Sequence, residues 1–406
     1  MLRALCALVA LFAFGAQPAS AASLDYLGGY DPGTPDLNAT VAGLDGFAYL
    51  GSWGGPGNCP SLGVRVFDAR DPTNPLPLGT AADYSGTTAE HVVVERYATP
   101  TFNGTVLFVG IQRCQAGGGA PAGLAVWDVT DPSNPSELAF LPTGRGPRGV
   151  HEFTVGQRGD RWYAYLAVPN SETIDGRGDL RVVDVSDPRQ PVEVANWGAQ
   201  RDAGLPVGAG GQCAPACRGS VPQAFLHSVA LSQDARTAYL SYWDLGLIIL
   251  DVSEPAAPYW LGRFAEPAAA EGNTHSVSLA HGGRLALVAD ETFGPPWGRL
   301  RLVDVQEPSN PVQVGVFETA NSAAGTRGPQ YAYTIHNPLV DDRDPNRAYL
   351  AWYADGVRLV DISNASQPVE VASWVPPNSG MAWNVAFMGD VLLVGDINNG
   401  LVILHR

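Results

Sequence analysis

Apolar residues along this chain fall into short runs, and many runs end at an acid that is followed by a proline-containing turn and a second apolar run. Residues 246–251, Gly-Leu-Ile-Ile-Leu-Asp, show the pattern, and Glu254-Pro255-Ala-Ala-Pro258 forms the turn. Aliphatic runs bounded by Asp and Pro are typical of two tightly joined strands, because Pro fixes φ and Asp accepts a backbone hydrogen bond within the turn. The pattern therefore predicts a β-hairpin.

This hairpin recurs along the whole chain at nearly regular intervals. The strands that precede the turn are residues 63–68, 123–128, 179–184, 246–251, 299–304 and 356–361, with a terminal copy at 400–405 that lacks the proline turn. Regular recurrence of one supersecondary unit indicates a repeat architecture.

A second pair of strands lies between successive hairpins. In one unit the first strand starts at His227, the second at Thr237, the third at Gly246 and the fourth at Pro258. Comparable units start at His91, His151, His275 and His336. Four-stranded sheets in series, with no helical periodicity between them, predict an all-β fold, a β-propeller, and the copies of the third strand predict seven blades.

The two ends of the chain predict how the ring closes. The last unit, which starts near Met381, has three strands and no fourth. Residues 24–30 resemble the fourth strands at 192–198 and 258–264, and they precede the first complete unit. We therefore expect the N-terminal strand to complete the last blade, which would remove an open sheet edge.

Residues 180–191, Leu-Arg-Val-Val-Asp-Val-Ser-Asp-Pro-Arg-Gln-Pro, resemble the LVIVD repeat of exported or cell-surface proteins from bacteria and archaea. The resemblance covers essentially the whole chain after residue 22. It implies propeller architecture, and it brings no catalytic residues to transfer. Function has to be argued from a site and not from the fold.

The first 22 residues have the features of a secretory signal peptide: Arg3, an apolar run over residues 4–14 and the small residues Ala19-Ser20-Ala21. Residues 23–406 are then expected to form one seven-bladed domain. No later apolar run is long enough to span a bilayer as a helix. The expected location is secreted, periplasmic or associated with the cell surface.

The formal net charge of −16 argues against nucleic acid as a partner, because such binding needs a basic surface. The expected partner is an extracellular or cell-surface ligand or protein.

Four cysteines follow the predicted signal peptide, and export permits disulfides. Cys59 and Cys114 are both expected between the second and third strands of neighbouring blades, which predicts a Cys59–Cys114 disulfide. Cys213 and Cys217 form either a local disulfide or half of a metal site; the lack of a further thiol pair favours the Cys213–Cys217 disulfide.

Five of the seven histidines start the first strand of a blade. They are His91, His151, His227, His275 and His336. The corresponding positions of the first and last blades hold Ala39 and Trp383. A subset of the imidazoles, with nearby acids such as Glu90 and Glu152, could bind a divalent transition metal. Alternatively, the repeated histidine is a structural hydrogen-bonding group inherited by duplication of the blade.

Two function classes follow. The first is an exported non-catalytic binding or scaffold protein that uses its long-loop face for a ligand or protein partner. The second is a metal-dependent enzyme, a hydrolase or oxidase, with a histidine-lined channel mouth. The sequence contains no nucleophile elbow, P-loop or HExxH motif, which favours the first class.

Overall fold

The computed structural model describes residues 22–54, 57–115, 118–144, 146–208, 222–266 and 272–406. In these ranges the regular secondary structure is almost entirely antiparallel strand, as the pattern of apolar runs predicts. The signal peptide predicted over residues 1–22 lies almost wholly outside the described residues. None of the helices in the described ranges is long and apolar enough to cross a membrane.

The strands form seven four-stranded antiparallel meanders, numbered here from one to seven. Meander one comprises β3 (Asn38–Leu44), β4 (Phe47–Ser52), β5 (Val64–Asp68) and β6 (Leu76–Ala81). Meander two comprises β7 (Thr87–Ala98), β8 (Asn103–Arg113), β9 (Gly123–Asp128) and β10 (Ser136–Pro142). Meander three comprises β11 (Phe153–Arg158), β12 (Arg161–Ala167), β13 (Leu180–Asp184) and β14 (Val192–Trp197). Meander four comprises β15 (Leu226–Leu231), β16 (Thr237–Tyr242), β17 (Gly246–Asp251) and β18 (Tyr259–Phe264).

The remaining meanders repeat the same strand order. Meander five comprises β19 (Thr274–Ala280), β20 (Leu285–Asp290), β21 (Leu300–Asp304) and β22 (Val312–Phe317). Meander six comprises β23 (Pro338–Val340), β24 (Arg347–Ala351), β25 (Val357–Asp361) and β26 (Val369–Trp374). Meander seven comprises β27 (Ala382–Met388), β28 (Val391–Asp396), β29 (Gly400–His405) and, from the N-terminus, β2 (Tyr26–Tyr30). Short helices lie in the connections: α1 (Ser171–Asp175), α2 (Ala199–Ala203), α3 (Ala320–Ala323) and a 3₁₀ turn (His281–Gly283).

The sheets form a propeller-like arrangement, but the described residues contain five separate blade-like sheets and not the expected seven. Meanders three to seven are the separate sheets, and meander six gains a fifth strand because β1 (Ala22–Ser23) pairs with β26 in parallel. Meanders one and two are joined in one eight-stranded sheet. The join is a single bridge between Ser52 of β4 and Ala89 of β7.

The N-terminal strand completes meander seven, as the missing fourth strand predicted. β2 pairs antiparallel with β29, with Gly28 opposite Ile403. Meander seven also packs on meander one through a shared apolar cluster that includes Leu393, Ile403 and Phe67. The two ends of the described chain are therefore held together by both a strand ladder and a buried core.

Candidate metal centre in the central cavity

A cavity of about 600 Å³ is lined by residues at the start of the first strands and by loop residues such as Trp53, Asn170 and Phe293. These loops connect the second and third strands, or the fourth strand and the next meander, as expected for the long-loop face. Four of the five predicted histidines line the cavity: His151, His227, His275 and His336.

A β-bulge aims His227 and His275 into the cavity. In meander four, Leu226 lies opposite Tyr242 while Ser228 lies opposite Ser241, so His227 is the extra residue of the strand. The same interruption occurs at His275 in meander five and at Trp383 in meander seven. A bulge leaves one residue outside the ladder and redirects its side chain, which places these rings on the channel side.

His91 does not join this set, although the sequence grouped it with the others. In meander two, Ala89 lies opposite Ile111 and the next paired residue is Val92, which lies opposite Val109. Ala89 is therefore the equivalent of Leu226, and Glu90, the residue after it, takes the position that His227 has in meander four. Glu90 consequently lines the cavity, whereas the His91 ring packs edge-on against Phe153 at 5.0 Å. A shift of one residue along a strand reverses the side-chain direction.

The four cavity histidines form a continuous arc of rings. The ring centroids of His151 and His227 are 4.1 Å apart, those of His227 and His275 are 3.9 Å apart, and those of His275 and His336 are 4.2 Å apart. Trp383 continues the arc at 4.3 Å from His336. The histidines of four successive meanders are thus in direct contact.

Backbone hydrogen bonds determine the tautomer of two of these rings. His275 Nδ1 lies 3.1 Å from the carbonyl oxygen of His336, and His336 Nδ1 lies 2.7 Å from that of Trp383. A carbonyl can only accept, so each Nδ1 carries the proton. Burial lowers the pKa of His336 to about 3 and lowers the pKa of His275 well below its usual value. Both rings are therefore neutral near pH 7, with unprotonated Nε2 atoms.

Glu291 faces both Nε2 atoms. Its Oε2 lies 3.8 Å from His275 Nε2, its Oε1 lies 3.9 Å from His336 Nε2, and the Tyr353 hydroxyl donates to Oε1. Two ligands that each lie about 2.1 Å from one ion are separated by about 3–4 Å, so these distances suit a shared metal ion. Burial raises the pKa of Glu291 to about 8, which makes the isolated carboxylate costly unless a cation is nearby.

A second group of donors overlaps with the first. Potential ligand atoms of Glu152, His227 and His275 all lie within 4.8 Å of one another. Burial is also the main cause that raises the pKa of Glu152 well above its usual value. Because His275 has only one unprotonated nitrogen, one ion at its Nε2 excludes a second ion there.

His151 is held at the edge of the arc by polar contacts. Its Nδ1 lies 2.9 Å from Glu90 Oε2 and 2.5 Å from Gln112 Nε2, and its Nε2 lies 2.7 Å from His227 Nε2. His227 Nδ1 is buried without a hydrogen-bond partner among the described residues. The contacts of His151 support the interpretation of this ring as a structural hydrogen-bonding group. His227 Nδ1, by contrast, has no such contact among the described residues.

The acids that end the second strands have structural roles. Asp290 pairs with Arg301 at 2.7 Å, and Asp396 accepts from the backbone N–H groups of Asn398 and Asn399. Asp244 accepts from the backbone N–H of Asn273. These carboxylates hold loops and do not line the cavity.

The structure places Cys59 and Cys114 at disulfide distance, with Cα atoms 6.1 Å apart. Both residues lie between the second and third strands of their meanders, on the same side as the cavity, as expected. Cys213 and Cys217 lie outside the described residues.

Sequence reasoning missed Glu291, Tyr353 and Gln112 as site residues. Each follows or ends a second strand in a different meander, with no distinctive spacing to the histidines. The available signal was the common position: the residue after the second strand of one blade faces the first strand of the next.

The strand order and the repeated turn define a propeller-like repeat protein. The LVIVD repeat profile matches residues 162–198, 229–266, 346–375 and 379–404. The chain therefore carries LVIVD repeats in these four stretches, as the resemblance of residues 180–191 indicated.

Comparison with known proteins supports the fold alone. No curated protein sequence matches the chain. The Raptor structure from Chaetomium thermophilum aligns with a TM-score of 0.59 and 11% identity over 94% of this chain, which spans only 29% of the Raptor chain. A chain of the Mitotic Checkpoint Complex structure aligns with a TM-score of 0.58 and 10% identity over 100% of this chain and 99% of that one.

Proposed function

We propose that this protein is an exported β-propeller that binds one divalent transition metal ion at the floor of its central cavity. The ligands are His275 Nε2, His336 Nε2 and the carboxylate of Glu291. Two imidazoles and one carboxylate are a donor set that suits Zn²⁺ or Fe²⁺. The primary function is therefore binding, and the metal ion is what the protein binds.

The arrangement of the two imidazoles carries this proposal. Bonds from Nδ1 to backbone carbonyls orient both rings, so that their Nε2 atoms lie 3.8 and 3.9 Å from oxygens of the same buried carboxylate. A hydrogen bond from the second imidazole nitrogen to a carbonyl is the usual way in which a metal-binding histidine is oriented. The Tyr353 hydroxyl fixes Glu291 in the same manner.

We propose further that each meander acts as one blade, which gives a ring of seven. Meanders one and two share only the Ser52–Ala89 bridge between their sheets, and each has the full set of four strands. Export is supported by the character of residues 1–22 and by the Cys59–Cys114 pair, since disulfides form in oxidising compartments.

Metal content of the purified protein tests the proposed ion. The wild type, stripped with a chelator and then exposed separately to Zn²⁺ and Fe²⁺, should retain about one ion per chain after gel filtration. Glu291→Gln and His336→Ala should each lose most of it, because three-ligand sites rarely tolerate the loss of one ligand.

His91→Ala is the matched control. This histidine also starts the first strand of a blade, but its ring packs on Phe153 and does not line the cavity. The control should retain the ion. Metal-free wild type, or equal metal loss in His91→Ala and His336→Ala, would contradict the proposed site.

A metal-dependent enzyme is the second function that this geometry favours. Three protein ligands leave coordination positions open, and the cavity gives a small molecule access to them. The test is turnover by metal-loaded wild type of an ester, a phosphoester and an oxidisable phenol. Activity that survives Glu291→Gln would contradict catalysis at this centre.

A further inference from the structure

Seven aromatic residues line the cavity beside the histidine arc, and each contacts the next. They are Phe225, Trp243, Phe293, Tyr331, Tyr353, Trp383 and Trp53, with successive ring centroids 5.2, 6.2, 4.9, 5.5, 6.0 and 5.7 Å apart. We call this set the aromatic belt. Such a surface offers flat apolar contact to a planar ligand.

Arg148 is the one arginine among the described residues that line the cavity. Its Nε donates to the carbonyl of Arg113 at 2.9 Å, its Nη2 donates to the carbonyl of Gly54 at 3.3 Å, and its guanidinium lies over Trp53 at 5.5 Å. Two carbonyls and one indole therefore hold the guanidinium in a fixed orientation.

No carboxylate among the described residues lies within ion-pair distance of Arg148. A protein with a net charge of −16 has many acids that could pair with a cavity arginine. An oriented guanidinium without a carboxylate partner is suited to binding an anion, because its planar N–H groups match the two oxygens of a carboxylate.

We propose that the cavity binds a small aromatic carboxylate, with its ring against the aromatic belt and its carboxylate on Arg148. The volume of about 600 Å³ is within the usual range for small-molecule sites. A mostly apolar wall with a few polar and charged groups, here Arg148, Glu90 and Glu291 among others, is also the usual composition of such sites. This inference rests on the proposed function only in that the same cavity holds the metal ion; Arg148 and the aromatic belt do not depend on the ion.

The charge on Arg148 favours an acid over a neutral sugar or an amine. A sugar could stack on the belt, but it would leave the guanidinium without its counter-charge. An amine could approach Asp36, Glu90 or Glu291, which also line the cavity, but Arg148 would repel it and would remain without a counter-charge. The three classes can be compared directly with ligands of the same carbon skeleton.

Quenching of tryptophan fluorescence tests the inference, because Trp53, Trp243 and Trp383 belong to the belt. The probes are 3-phenylpropionate, 3-phenylpropanamide and 3-phenylpropylamine, each titrated into chelator-treated and metal-loaded wild type. Chelator-treated protein should bind the acid at least about tenfold more tightly than the amide, a difference of about 1.4 kcal/mol, since a hydrogen bond between two charged groups is stronger than one to a neutral amide.

Arg148→Gln should remove most of that preference and leave binding of the amide nearly unchanged. Arg189→Gln is the matched control, because Arg189 also lies over a ring, that of Phe102 at 4.9 Å, and donates to a carbonyl, that of Thr101. This control should keep the preference of the wild type.

Equal or tighter binding of the amide or amine, or no saturable binding of any probe, would overturn the inference even if Arg148→Gln failed to fold. Acid binding that persists in chelator-treated protein while no ion is retained would contradict only the proposed metal site. Retention of the ion without acid preference would contradict only the inference.

Discussion

Glycines in the fourth strands allow neighbouring meanders to approach closely. A Cβ on Gly262 of β18 would lie 1.9 Å from the carbonyl oxygen of Pro308, in the proline turn of the next meander. Gly315 of β22 faces the carbonyl of Ala365 in the same way, also at 1.9 Å. The repeated turn therefore packs on the backbone of the preceding meander, where a side chain would separate the two.

Gly262→Ala should destabilise the protein by about 1–3 kcal/mol, because the added methyl group meets a backbone carbonyl that cannot rotate away. Gly79→Ala is the matched control: Gly79 occupies the same register position in β6, but a Cβ there would meet nothing within 4 Å. The control should be neutral or slightly stabilising. Equal urea midpoints for the two variants would show that this packing contributes nothing.

The turn after each third strand is closed by side-chain hydrogen bonds. Ser363 N–H donates to Asp361 Oδ1 at 2.9 Å, and Thr73 N–H donates to Asp71 Oδ1 at 3.0 Å. This confirms the interpretation of these acids as turn residues. A carboxylate that accepts such bonds is stabilised in its charged form.

The turn acids should make stability fall in acid. The side chain of Arg70 lowers the pKa of Asp68 to about 2, and the hydroxyls of Thr73 and Ser363 lower the pKa values of Asp71 and Asp361. Since each folded-state pKa is below the unfolded value near 3.9, their contribution is complete above about pH 4 and is lost as pH falls through the lowered pKa values, which for Asp68 is about 2.

The triple variant Asp68→Asn, Asp71→Asn, Asp361→Asn should therefore lose less stability than the wild type between pH 5 and pH 2. An amide oxygen can accept the backbone N–H bonds, and it does not titrate. Urea midpoints of both proteins across this range provide the comparison. If the urea midpoints of the two proteins fall in parallel as the pH is lowered, other groups cause the loss of stability in acid.

At the scale of the whole molecule, the N-terminal strand joins the two ends of the described chain. β2 forms four register pairs with β29. Gly28 also faces the Pro72 carbonyl of meander one, as Gly262 faces the Pro308 carbonyl of meander five. The strand thus makes the contacts of an ordinary fourth strand, although it comes from the other end of the chain.

A chain that begins at Asp31 should be less stable than the chain from residue 22 by about 2–6 kcal/mol, from the lost ladder hydrogen bonds alone. A chain that begins at Leu24 is the control, because it loses β1 and keeps β2. The control should unfold at nearly the same temperature as the chain that begins at residue 22. Identical thermal unfolding of both truncated chains would refute the stabilising role of β2.

The fold was largely predictable, because strand periodicity and turn chemistry are local properties. The four-strand order, the turn acids and the closing strand all follow from sequence and agree with the structure. The number of separate sheets did not follow, since the Ser52–Ala89 bridge depends on how meanders one and two meet in space. The site was half predictable: four histidines line the cavity, while Glu291 and Tyr353 have no distinctive spacing and share only their position after a second strand.

The sequence by itself determined the repeating strands, the turns and the recurrence of histidine near the start of the first strand, because each depends on residues that are close along the chain. Only the tertiary structure decided which side chains meet in the cavity. His91 and His227 look alike in sequence, yet the register of β7 puts Glu90 where His227 stands in β15. Strand register and bulges set the direction of side chains such as His227 and Glu90, and the packing of the meanders brings residues that are distant in sequence together, so the donor set emerges only in the folded molecule.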